Sequence, residues 1–549
     1  MKYIGAMGTA FSLSPIVTGL ASGIDRVRDL ETKSQKVERL TFLQTTDIHG
    51  QVMTHPEFFM EDGQMVFKKA GGMSRIASYF KKVKQENPGS VFSVDCGDCY
   101  QGSALATLSE GKALVPIMNK VGYDLALPGN WEVFYGPQNM VNLMESYTFP
   151  VLCSNMHWGE NYDDKSSIIF PPYYIKQMGG VRVGFIGYND PKTKKRQAPS
   201  YHEGIGFSQP EKTIPLLVNK LKFELKCDLV IMLAHLGLAQ QVNLAKLEEC
   251  AGVDFILGGD THERTYEPIF TENQKVPVVE AGAFGSFVGR LDLVLEDKKI
   301  KDYSYKLEVI EEDLYKEDQD VKTTVHRVRK PYKSEIDRVI GKTESYLYRY
   351  SVLETPMDNM ITDAIREQTG VDIGISNGFR FCPPIEPGEI TIDHLYSMLP
   401  SNNSLKTGKV TGKQIKDWLE QELENVFSED ITKRVGGWVV RFSGMKITIH
   451  VDSTKGQRVE SIEIGEKRLD LNQNYSISAC VKEGDPDHIF CRIPNVTDIK
   501  ILNVTNYDAV ENFLSKHSPV NYEIEGRVTA LDRKGIVLSQ LPGTDYVFR

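Results

Sequence analysis

The sequence predicts an α/β protein with two domains, and three observations lead to this prediction. The chain has 549 residues, which is too many for one hydrophobic core, so two domains and a connector are expected. From about residue 40 to residue 296, short apolar runs alternate with helix-like segments, which is typical of helices covering a sheet. A charged stretch follows, and beyond it a second set of helix-like and strand-like segments begins.

On this pattern the chain divides into four parts. Residues 1–39 start with a mildly apolar run and then turn charged, as in an export signal followed by a polar pro-segment. Residues 40–310 form the first domain, residues 311–341 a solvated connecting helix broken at Pro331, and residues 342–549 a smaller second domain. We therefore expect a periplasmic or secreted protein; the alternative is a cytoplasmic protein with a disordered tail. Ser, Pro and Gly interrupt the apolar run, which argues against a transmembrane anchor.

Composition excludes several classes of function. The net charge of −10 and the pI near 5.7 argue against a partner that is a nucleic acid polymer, because phosphate backbones require a clustered positive field. Eight cysteines in so long a chain do not form a disulfide scaffold. Cys96 and Cys99 form a C-x-x-C pair, but the segment CGDCYQGS is better explained by its Asp and Gly residues than by a redox or zinc role.

Polar side chains follow five apolar runs at the point where each run ends. The first run, residues 40–44, is typical of a buried strand, and Asp47 and His49 follow it as alternating residues that point the same way on an extended chain. A single Asp-x-His is most often a solvated turn. Five strand ends with the same feature are hard to produce as independent loops. The residues concerned are Asp47, His49, Asp98, Asn130, His235, Asp260 and His262.

These residue types indicate metal chemistry. Asp, Asn and His are hard-to-borderline ligands, and no thiolate is needed, so a structural zinc–cysteine site is not indicated. Seven such groups exceed the needs of one four-coordinate ion, whereas two adjacent cations with one bridging carboxylate would use them all. A two-metal centre of this kind suits hydrolysis of a compact tetrahedral oxyanion ester.

Five ordered blocks carry a resemblance to a known family: DIHGQ, GDCYQGS, GNWEVFYG, AHLG and GGDTHE. In this order they resemble the calcineurin-like metallophosphoesterases, and among these the 5′-nucleotidases, which add a C-terminal substrate domain. The resemblance implies a four-layer metallophosphoesterase sandwich followed by a smaller α/β domain of the 5′-nucleotidase type. It also implies phosphoric-ester hydrolysis, as in nucleotide catabolism.

The resemblance further implies how two divalent ions share the ligands, with Asp98 as the bridge. The nucleotidase pattern has His where this chain has Asp260. The added negative charge favours harder ions, so Mn²⁺ is the expected metal, with Zn²⁺, Mg²⁺ or Fe as alternatives. The two implied ligand sets are Asp47, His49, Asp98 and His262 for one ion, and Asp98, Asn130, His235 and Asp260 for the other.

Two departures from the nucleotidase pattern affect the chemistry. Nucleotidases carry a catalytic His-Asp dyad after the Gly-Asn pair, and this chain has Trp131 and Phe134 at those positions. Loss of a positioned acid or base typically costs about 10²–10⁴-fold in rate. The Gly-x-Trp-Glu sequence instead resembles the sulfur-oxidation thiosulfohydrolases, which remove sulfate from a protein-bound cysteine. Sulfate needs less proton assistance as a product, so loss of the dyad is tolerable there.

The second domain supplies candidates for oxyanion and substrate binding. Arg380 in NGFRF and Arg441 in VVRFSG are the main arginine candidates, with Arg349 behind them, because the planar guanidinium suits phosphate and sulfate oxygens. Asn377 and Asp485 are candidate substrate-binding residues, Asp485 because EGDPDHIF keeps a nucleotidase-like pattern.

The aromatic pair that stacks on the base in nucleotidases is missing from the matching positions. Ser401 and Ala479 stand there. A base-stacking platform is worth about 1–3 kcal/mol per base, so its absence weakens the nucleotide interpretation.

The sequence thus predicts an exported, metal-dependent hydrolase in which a metal-bound hydroxide attacks phosphorus or sulfur(VI). The 5′-nucleotidase-like description is the broad one. A thiosulfohydrolase acting on a protein cysteine S-thiosulfonate and a metal-binding scaffold without catalysis are the alternatives. Expected partners are a small phosphate or sulfur-oxyanion substrate and, under the second interpretation, a carrier-protein cysteine; the protein is expected to be a monomer or dimer. The candidate catalytic residues are Asn130, Arg380 and Arg441.

Overall fold

The computed structural model describes residues 37–62, 64–159, 167–270, 276–428, 430, 433–434 and 438–532. Most of the expected export segment, residues 1–36, lies outside the described residues. Within them, no helix is both long and apolar enough to cross a membrane.

The first half of the chain alternates strands and helices. Its strands are β1 (Val37–Thr45), β2 (His55–Glu61), β3 (Gln64–Ala70), β4 (Val91–Asp95), β5 (Leu125–Ala126), β6 (Met156–Trp158), β7 (Tyr173–Met178), β8 (Val181–Asn189), β9 (Ile205–Phe207), β10 (Leu229–His235), β11 (Phe255–Gly259), β12 (Val278–Glu280), β13 (Phe287–Glu296) and β14 (Lys299–Val309). Its helices are α1 (Met73–Glu86), α2 (Ala104–Leu108), α3 (Leu114–Val121), α4 (Pro137–Glu145), α5 (Thr193–Arg196), α6 (Pro210–Asn219) and α7 (Leu238–Ala245).

Two five-stranded sheets form the centre of this domain, in the orders β14-β13-β1-β4-β5 and β12-β11-β10-β8-β7. They pack face to face, with Phe185 stacked on Phe92 at 4.7 Å and edge-on to Phe42 at 6.1 Å. Helices α1 and α3 cover the outer face of the first sheet, and α6 and α7 cover that of the second. The result is a four-layer sandwich, which confirms the predicted fold class.

The strand sequences reflect these positions. β10 is apolar over six residues and buried on both faces, as expected for a central strand with parallel neighbours β8 and β11. β13, in contrast, alternates buried and partly exposed residues from Gly289 to Glu296, because only one of its faces meets the core there.

A charged segment leads into the second domain. It contains α8 (Gln319–Arg329), a 3₁₀ turn with Pro331 and α9 (Lys333–Ile336). The Asp318 carboxylate caps α8 by accepting from two backbone amides. The buried side chains of Val321 and Val325 join the core beside α1 and α3, so α8 is packed and not solvated all round.

The second domain has a mixed sheet of its own, ordered β19-β16-β23-β18-β24, with a smaller sheet β22-β21-β20-β25 and a ribbon β15-β17. Its strands are β15 (Val339–Thr343), β16 (Ile373–Ser376), β17 (Gly388–Thr391), β18 (Ser404–Thr411), β19 (Arg441–Ser443), β20 (Met445–Ile449), β21 (Val459–Ile464), β22 (Lys467–Arg468), β23 (Asn474–Cys480), β24 (Thr497–Thr505) and β25 (Val528–Ala530). Its helices are α10 (Pro356–Thr369), α11 (Ile392–Met398), α12 (Gly412–Phe427) and α13 (Asn506–His517).

The hydrophobic core is continuous between the two domains. One cluster of buried apolar residues runs from β1 and α1 through α8 into α10, α11 and α13. A separate cluster around Trp418 and Leu419 fills the second domain. The second domain is therefore packed firmly against the first along one side.

Candidate metal centre

The polar residues singled out in the first domain meet at one edge of the sandwich. Strands β1 and β4 are parallel, as are β10 and β11, so their carboxyl ends lie on the same side. Asp47 and Asp98 follow β1 and β4, His235 ends β10, and Asp260 and His262 follow β11. The alternation of strand and turn in the sequence therefore produces this convergence.

Three of these residues form a first group of potential ligands, in which the ligand atoms lie within 4.8 Å of one another: Asp47, His49 and His262. The two imidazole Nε2 atoms are 3.0 Å apart. The Oδ1 atom of Asp47 lies 3.4 Å from His262 Nε2 and 3.7 Å from His49 Nε2. All three residues are buried.

A second group adjoins the first and consists of Asp47, Asp98 and His235. The Oδ2 atom of Asp98 lies 3.2 Å from His235 Nε2 and 3.8 Å from His49 Nε2. Asp47 belongs to both groups, and Asp98 Oδ2 lies between a histidine of each. This geometry is compatible with a bridging carboxylate, and the assignment of that role to Asp98 stays a prediction.

Each histidine is oriented by a hydrogen bond on its other ring nitrogen. The Nδ1 atoms of His49, His235 and His262 contact the backbone carbonyls of Gln101 at 2.7 Å, Cys96 at 2.7 Å and Arg380 at 3.1 Å. A carbonyl only accepts, so Nδ1 carries the proton and Nε2 of a neutral ring presents a lone pair to the cluster. This is the usual arrangement around metal-ligating histidines.

The cluster fits a bound cation. Asp47 Oδ1 and Asn130 Oδ1 are buried and make no hydrogen bond to any other described residue. A buried oxygen without a partner costs free energy, and Asp47 Oδ1 lies 3.7, 4.0 and 3.4 Å from the Nε2 atoms of His49, His235 and His262. Oxygen and nitrogen ligands with no thiolate suit a divalent ion such as Mn²⁺ or Zn²⁺.

The pKa directions agree with this interpretation. Burial and the neighbouring His262 lower the pKa of His49 to about 4, so the ring is neutral at pH 7. Burial alone would raise the pKa of Asp98, but His235 and His49 outweigh it and hold the pKa below its ordinary value. Burial lowers the pKa of His235, whereas the Asp98 and Asp47 carboxylates raise it. The carboxylates together outweigh burial, so the pKa of His235 lies above its ordinary value. The cluster therefore favours positive charge at its centre.

The backbone at these positions is strained. Asp47, His49, Asp98, Asp260 and His262 all have positive φ, at 53°, 49°, 61°, 92° and 61°. Non-glycine residues rarely adopt this region, and they are maintained there only when the surroundings fix them. The turns thus hold the side chains toward a common point.

Two buried glutamates that the sequence analysis did not single out hold these turns. Glu132 accepts hydrogen bonds from the backbone amides of Asp98 at 3.0 Å, Cys99 at 2.5 Å and Gly129 at 2.7 Å. Glu280 accepts from the amides of Thr261 at 3.0 Å and Glu263 at 2.9 Å. The signal for Glu132 was its place in the GNWE block beside Asn130.

Asp260 has a different environment from the other predicted ligands. Its Oδ1 lies 3.8 Å from His235 Nε2, which places the carboxylate beside the cluster. The same carboxylate forms an ion pair with Arg196 and accepts a hydrogen bond from Asn130 Nδ2 at 2.8 Å. Arg196 was not identified from the sequence, since it lies in a basic run without a recognisable motif.

Trp131 and Phe134 form an aromatic wall next to the cluster. Trp131 is 5.8 Å from Phe134, 5.0 Å from Phe381 and 6.5 Å from Phe379, measured between ring centroids. Phe381 in turn packs on His49 at 4.3 Å. Trp131 thus contacts aromatic residues of the second domain, and Phe134 packs beside it within the first.

The second domain covers the cluster. The backbone amide of Ala104 donates to Asp393 at 2.9 Å, and Gln51 donates to the Ser397 hydroxyl at 3.0 Å. Arg380 makes a further contact with the first domain: its guanidinium donates to Glu263 at 3.0 Å. The same guanidinium lies 4.9 Å from the ring of Trp438 in the second domain. Among the second-domain candidates, Arg380 is thus placed at the cluster through its carbonyl contact with His262.

The other second-domain candidates make contacts within their own domain. Arg441 is buried, with Nε 3.0 Å from Asp358 and its terminal nitrogens on backbone carbonyls. Arg349 is paired with the same Asp358 at 2.7 Å and donates to the Asn377 carbonyl at 3.2 Å. Asp485 lies 4.0 Å from Lys482 in a surface turn. Their proposed contact with substrate stays a prediction.

Comparisons with known proteins agree with both halves of the chain. Residues 40–264 match the family model of calcineurin-like phosphoesterases, and residues 339–479 match that of the 5′-nucleotidase C-terminal domain. Protein 5NUC of Lutzomyia longipalpis is 26% identical over 552 residues, covering 90% of this chain and 93% of that protein.

Two solved structures from Thermus thermophilus share the fold. The sulfate thiohydrolase SoxB in complex with glycerol has a TM-score of 0.78 at 24% identity, covering 90% of this chain and 97% of that one. A 5′-nucleotidase precursor has a TM-score of 0.77 at 22% identity, covering 90% and 100%. The fold is therefore common to two enzymes with different names.

Proposed function

The chain belongs to the calcineurin-like phosphoesterases that carry a 5′-nucleotidase C-terminal domain, a family of metal-dependent hydrolases; on this premise we propose that it hydrolyses a compact phosphate or sulfur(VI) ester with two divalent ions. The observation that carries the proposal is Asp47 Oδ1, a buried oxygen without a hydrogen-bond partner among the described residues. It lies within 4.0 Å of the Nε2 atoms of three imidazoles whose other nitrogens are fixed. Mn²⁺ is the ion we propose.

The chain's own residues have distinct roles in this proposal. Asp47, His49, Asp98 and His262 would hold one ion, and Asp98, Asn130 and His235 the other, with Asp260, the fourth predicted ligand of the second ion, beside them. Bound there, the ions would activate water and offset charge on the substrate. The second domain excludes bulk water by covering the cluster. Arg380 contacts His262 through its backbone carbonyl, and its guanidinium, a group suited to an oxyanion, is paired with Glu263.

The aromatic wall bears on the substrate. An indole cannot accept a proton, and Phe134 cannot orient an acid, so these positions do not assist a leaving group as a His-Asp dyad would. This favours a substrate whose leaving group departs with little proton assistance. We therefore keep a thiosulfohydrolase acting on a cysteine S-thiosulfonate as the second candidate, with a carrier-protein cysteine as its partner. A non-catalytic metal scaffold has the weakest support, because two adjoining groups of buried candidate ligands are present.

One experiment separates these candidates. The full chain, loaded with Mn²⁺, is assayed for phosphate release from adenosine monophosphate and an aryl phosphate, and for sulfate release from a peptide carrying a cysteine S-thiosulfonate. Phosphate release supports the nucleotidase-like function, and sulfate release supports the thiosulfohydrolase. Bound metal without turnover of any substrate would support the non-catalytic metal scaffold. Failure to bind metal would contradict the whole proposal. An His49→Asn variant serves as the inactive control.

We also propose that the protein is exported to the periplasm or secreted, on the basis of the apolar run that opens the sequence. Cell fractionation of the full chain, with cytoplasmic and periplasmic markers, tests this. Recovery of the whole protein in the cytoplasmic fraction would contradict it.

A further inference from the structure

The Arg196–Asp260 pair lies at the edge of the cluster, where the sequence resemblance implies a metal-ligating imidazole. We propose that Arg196 withholds Asp260 from metal coordination, so that the second metal position has only Asp98, Asn130 and His235 as protein ligands and binds its ion more weakly than the first. Arg196 and Asp260 are then positioning residues. The inference rests on the proposed two-metal function.

The hydrogen bonds to Asp260 carry this inference. Oδ1, the oxygen 3.8 Å from His235 Nε2, receives Asn130 Nδ2 at 2.8 Å and lies 2.8 Å from Arg196 Nη2. Oδ2 receives Arg196 Nη1, also at 2.8 Å. A carboxylate oxygen has two lone-pair sites. The oxygen beside the cluster is therefore engaged by a hydrogen bond from Asn130 and by an ion-pair contact with Arg196.

Arg196 is itself held in place. Its Nη1 atom also pairs with Asp190 at 2.8 Å, and the other oxygen of Asp190 accepts the backbone amide of Lys192 at 2.8 Å. The side chains of Asp190 and Asp260 are each only 4% exposed, and that of Arg196 is 26% exposed. A guanidinium shared by two buried carboxylates in a bidentate geometry is a strong pairing, unlike a surface ion pair.

Asp260 then orients the side chain of Asn130. Because the Asn130 amide nitrogen donates to Asp260, its Oδ1 is turned the other way, and this is the buried oxygen without a described partner. Asp260 thus orients a ligand while Arg196 balances its charge. An imidazole at position 260 would instead supply a ligand atom directly and would need no balancing cation.

Metal titration tests the inference without measuring activity. Metal-depleted full chain is equilibrated with Mn²⁺, and bound metal is measured by equilibrium dialysis with elemental analysis. For the wild type we expect one tight and one weaker site. Arg196→Met keeps an apolar stem but frees Asp260, so the second site should tighten by about tenfold, the lower end of the range for groups next to a metal ligand. Lys195→Met, an exposed neighbour on the same short helix, is the matched control and should behave as wild type.

A second variant, Asp260→Asn, tests the inference independently in case Arg196→Met misfolds. Asp260→Asn keeps an oxygen to accept from Asn130, so the second site should retain an affinity near that of the wild type. If Asp260 were a ligand, this substitution would weaken the site by about tenfold or more, which would overturn the inference. The same conclusion follows if Arg196→Met fails to tighten the site relative to Lys195→Met. Two equally tight ions in the wild type would overturn only this inference, whereas no bound Mn²⁺ in any variant would overturn the proposed function as well.

Discussion

The indole of Trp131 stands edge-on to the ring of Phe381, with the centroids 5.0 Å apart and the planes at 71°. This contact joins the turn that carries Asn130 in the first domain to the NGFRF segment of the second. Phe381 also packs against His49, so a metal-ligand candidate and the aromatic wall share one ring. The position of the second domain therefore also determines which aromatic rings line the candidate metal centre.

Replacing Asp98 tests the two-metal assignment. We expect Asp98→Ala to lower bound metal from about two ions per chain and to abolish turnover, because the Asp98 carboxylate lies between His49 and His235. Elemental analysis of the dialysed protein measures this. Asp302→Ala, at an exposed strand position, is the control. Full metal occupancy in Asp98→Ala would contradict the bridging role.

Glu132 is expected to support the centre without touching a substrate. Glu132→Gln replaces an acceptor of three backbone amides with a group that has a single acceptor oxygen. We expect a loss of about 1–3 kcal/mol in unfolding free energy and weaker Mn²⁺ binding. Denaturant unfolding and metal titration measure the two effects, with the surface variant Glu145→Gln as control. An unchanged stability would show that the turn does not depend on Glu132.

The depressed pKa of His49 predicts a pH dependence of the metal-free protein. The folded-state pKa is about 4, below the ordinary value near 6.5, so the unfolded chain binds a proton first as the pH falls. Stability should be full above pH 6.5 and decrease as the pH falls from 6.5 to 4, by up to about 3 kcal/mol from this group. Denaturant unfolding at a series of pH values measures the slope. His49→Asn should reduce it, whereas His326→Asn, exposed on α8, should not.

Part of the site follows from sequence and part does not. Asp47, Asp98, His235 and His262 were identified because strand ends in a layered α/β fold meet at one edge, so local periodicity gives the convergence. The partner of Asp260 did not follow, because Arg196 is 64 residues away and its approach depends on how the segment after β8 turns back. No local pattern encodes that contact.

The arginine candidates show the same limit. Arg380 and Arg441 both lie in short motifs next to aromatic residues, and the sequence made both of them candidates for binding the oxyanion. Arg441 is buried against Asp358 on the second-domain sheet, whereas Arg380 crosses to Glu263 of the first domain. The difference is one of tertiary packing. A guanidinium within a buried network and one at a cleft have the same local sequence signal.

The Arg380–Glu263 pair is expected to stabilise the covering position of the second domain. Arg380→Met removes a charged hydrogen bond to a buried carboxylate, at a cost of about 1.5–3 kcal/mol. We expect lower thermal stability, faster proteolysis between the domains and a lower kcat/KM. Arg380→Lys should restore part of the stability because it keeps the charge. The exposed Arg468→Met is the control, and a proteolysis rate equal to that of the control would contradict the role of the pair.

The last prediction concerns Trp131 and Phe134 together. Trp131→His with Phe134→Asp should rebuild a proton donor and the carboxylate that orients it. The single Trp131→His variant should gain little phosphomonoesterase activity, because the imidazole would lack its carboxylate partner and would face Phe381 and Phe379. We expect the double variant to gain phosphomonoesterase activity toward an aryl phosphate, while any release of sulfate from an S-thiosulfonate peptide falls or stays the same.

Steady-state rates on both substrates measure this, and Trp158→His, a partly exposed tryptophan on β6, controls for loss of an indole. If the wild type already hydrolyses nucleoside monophosphates as fast as the double variant, the indole is no barrier to that chemistry. The nucleotidase function would then be preferred, and the aromatic wall would serve to hold the second domain in place.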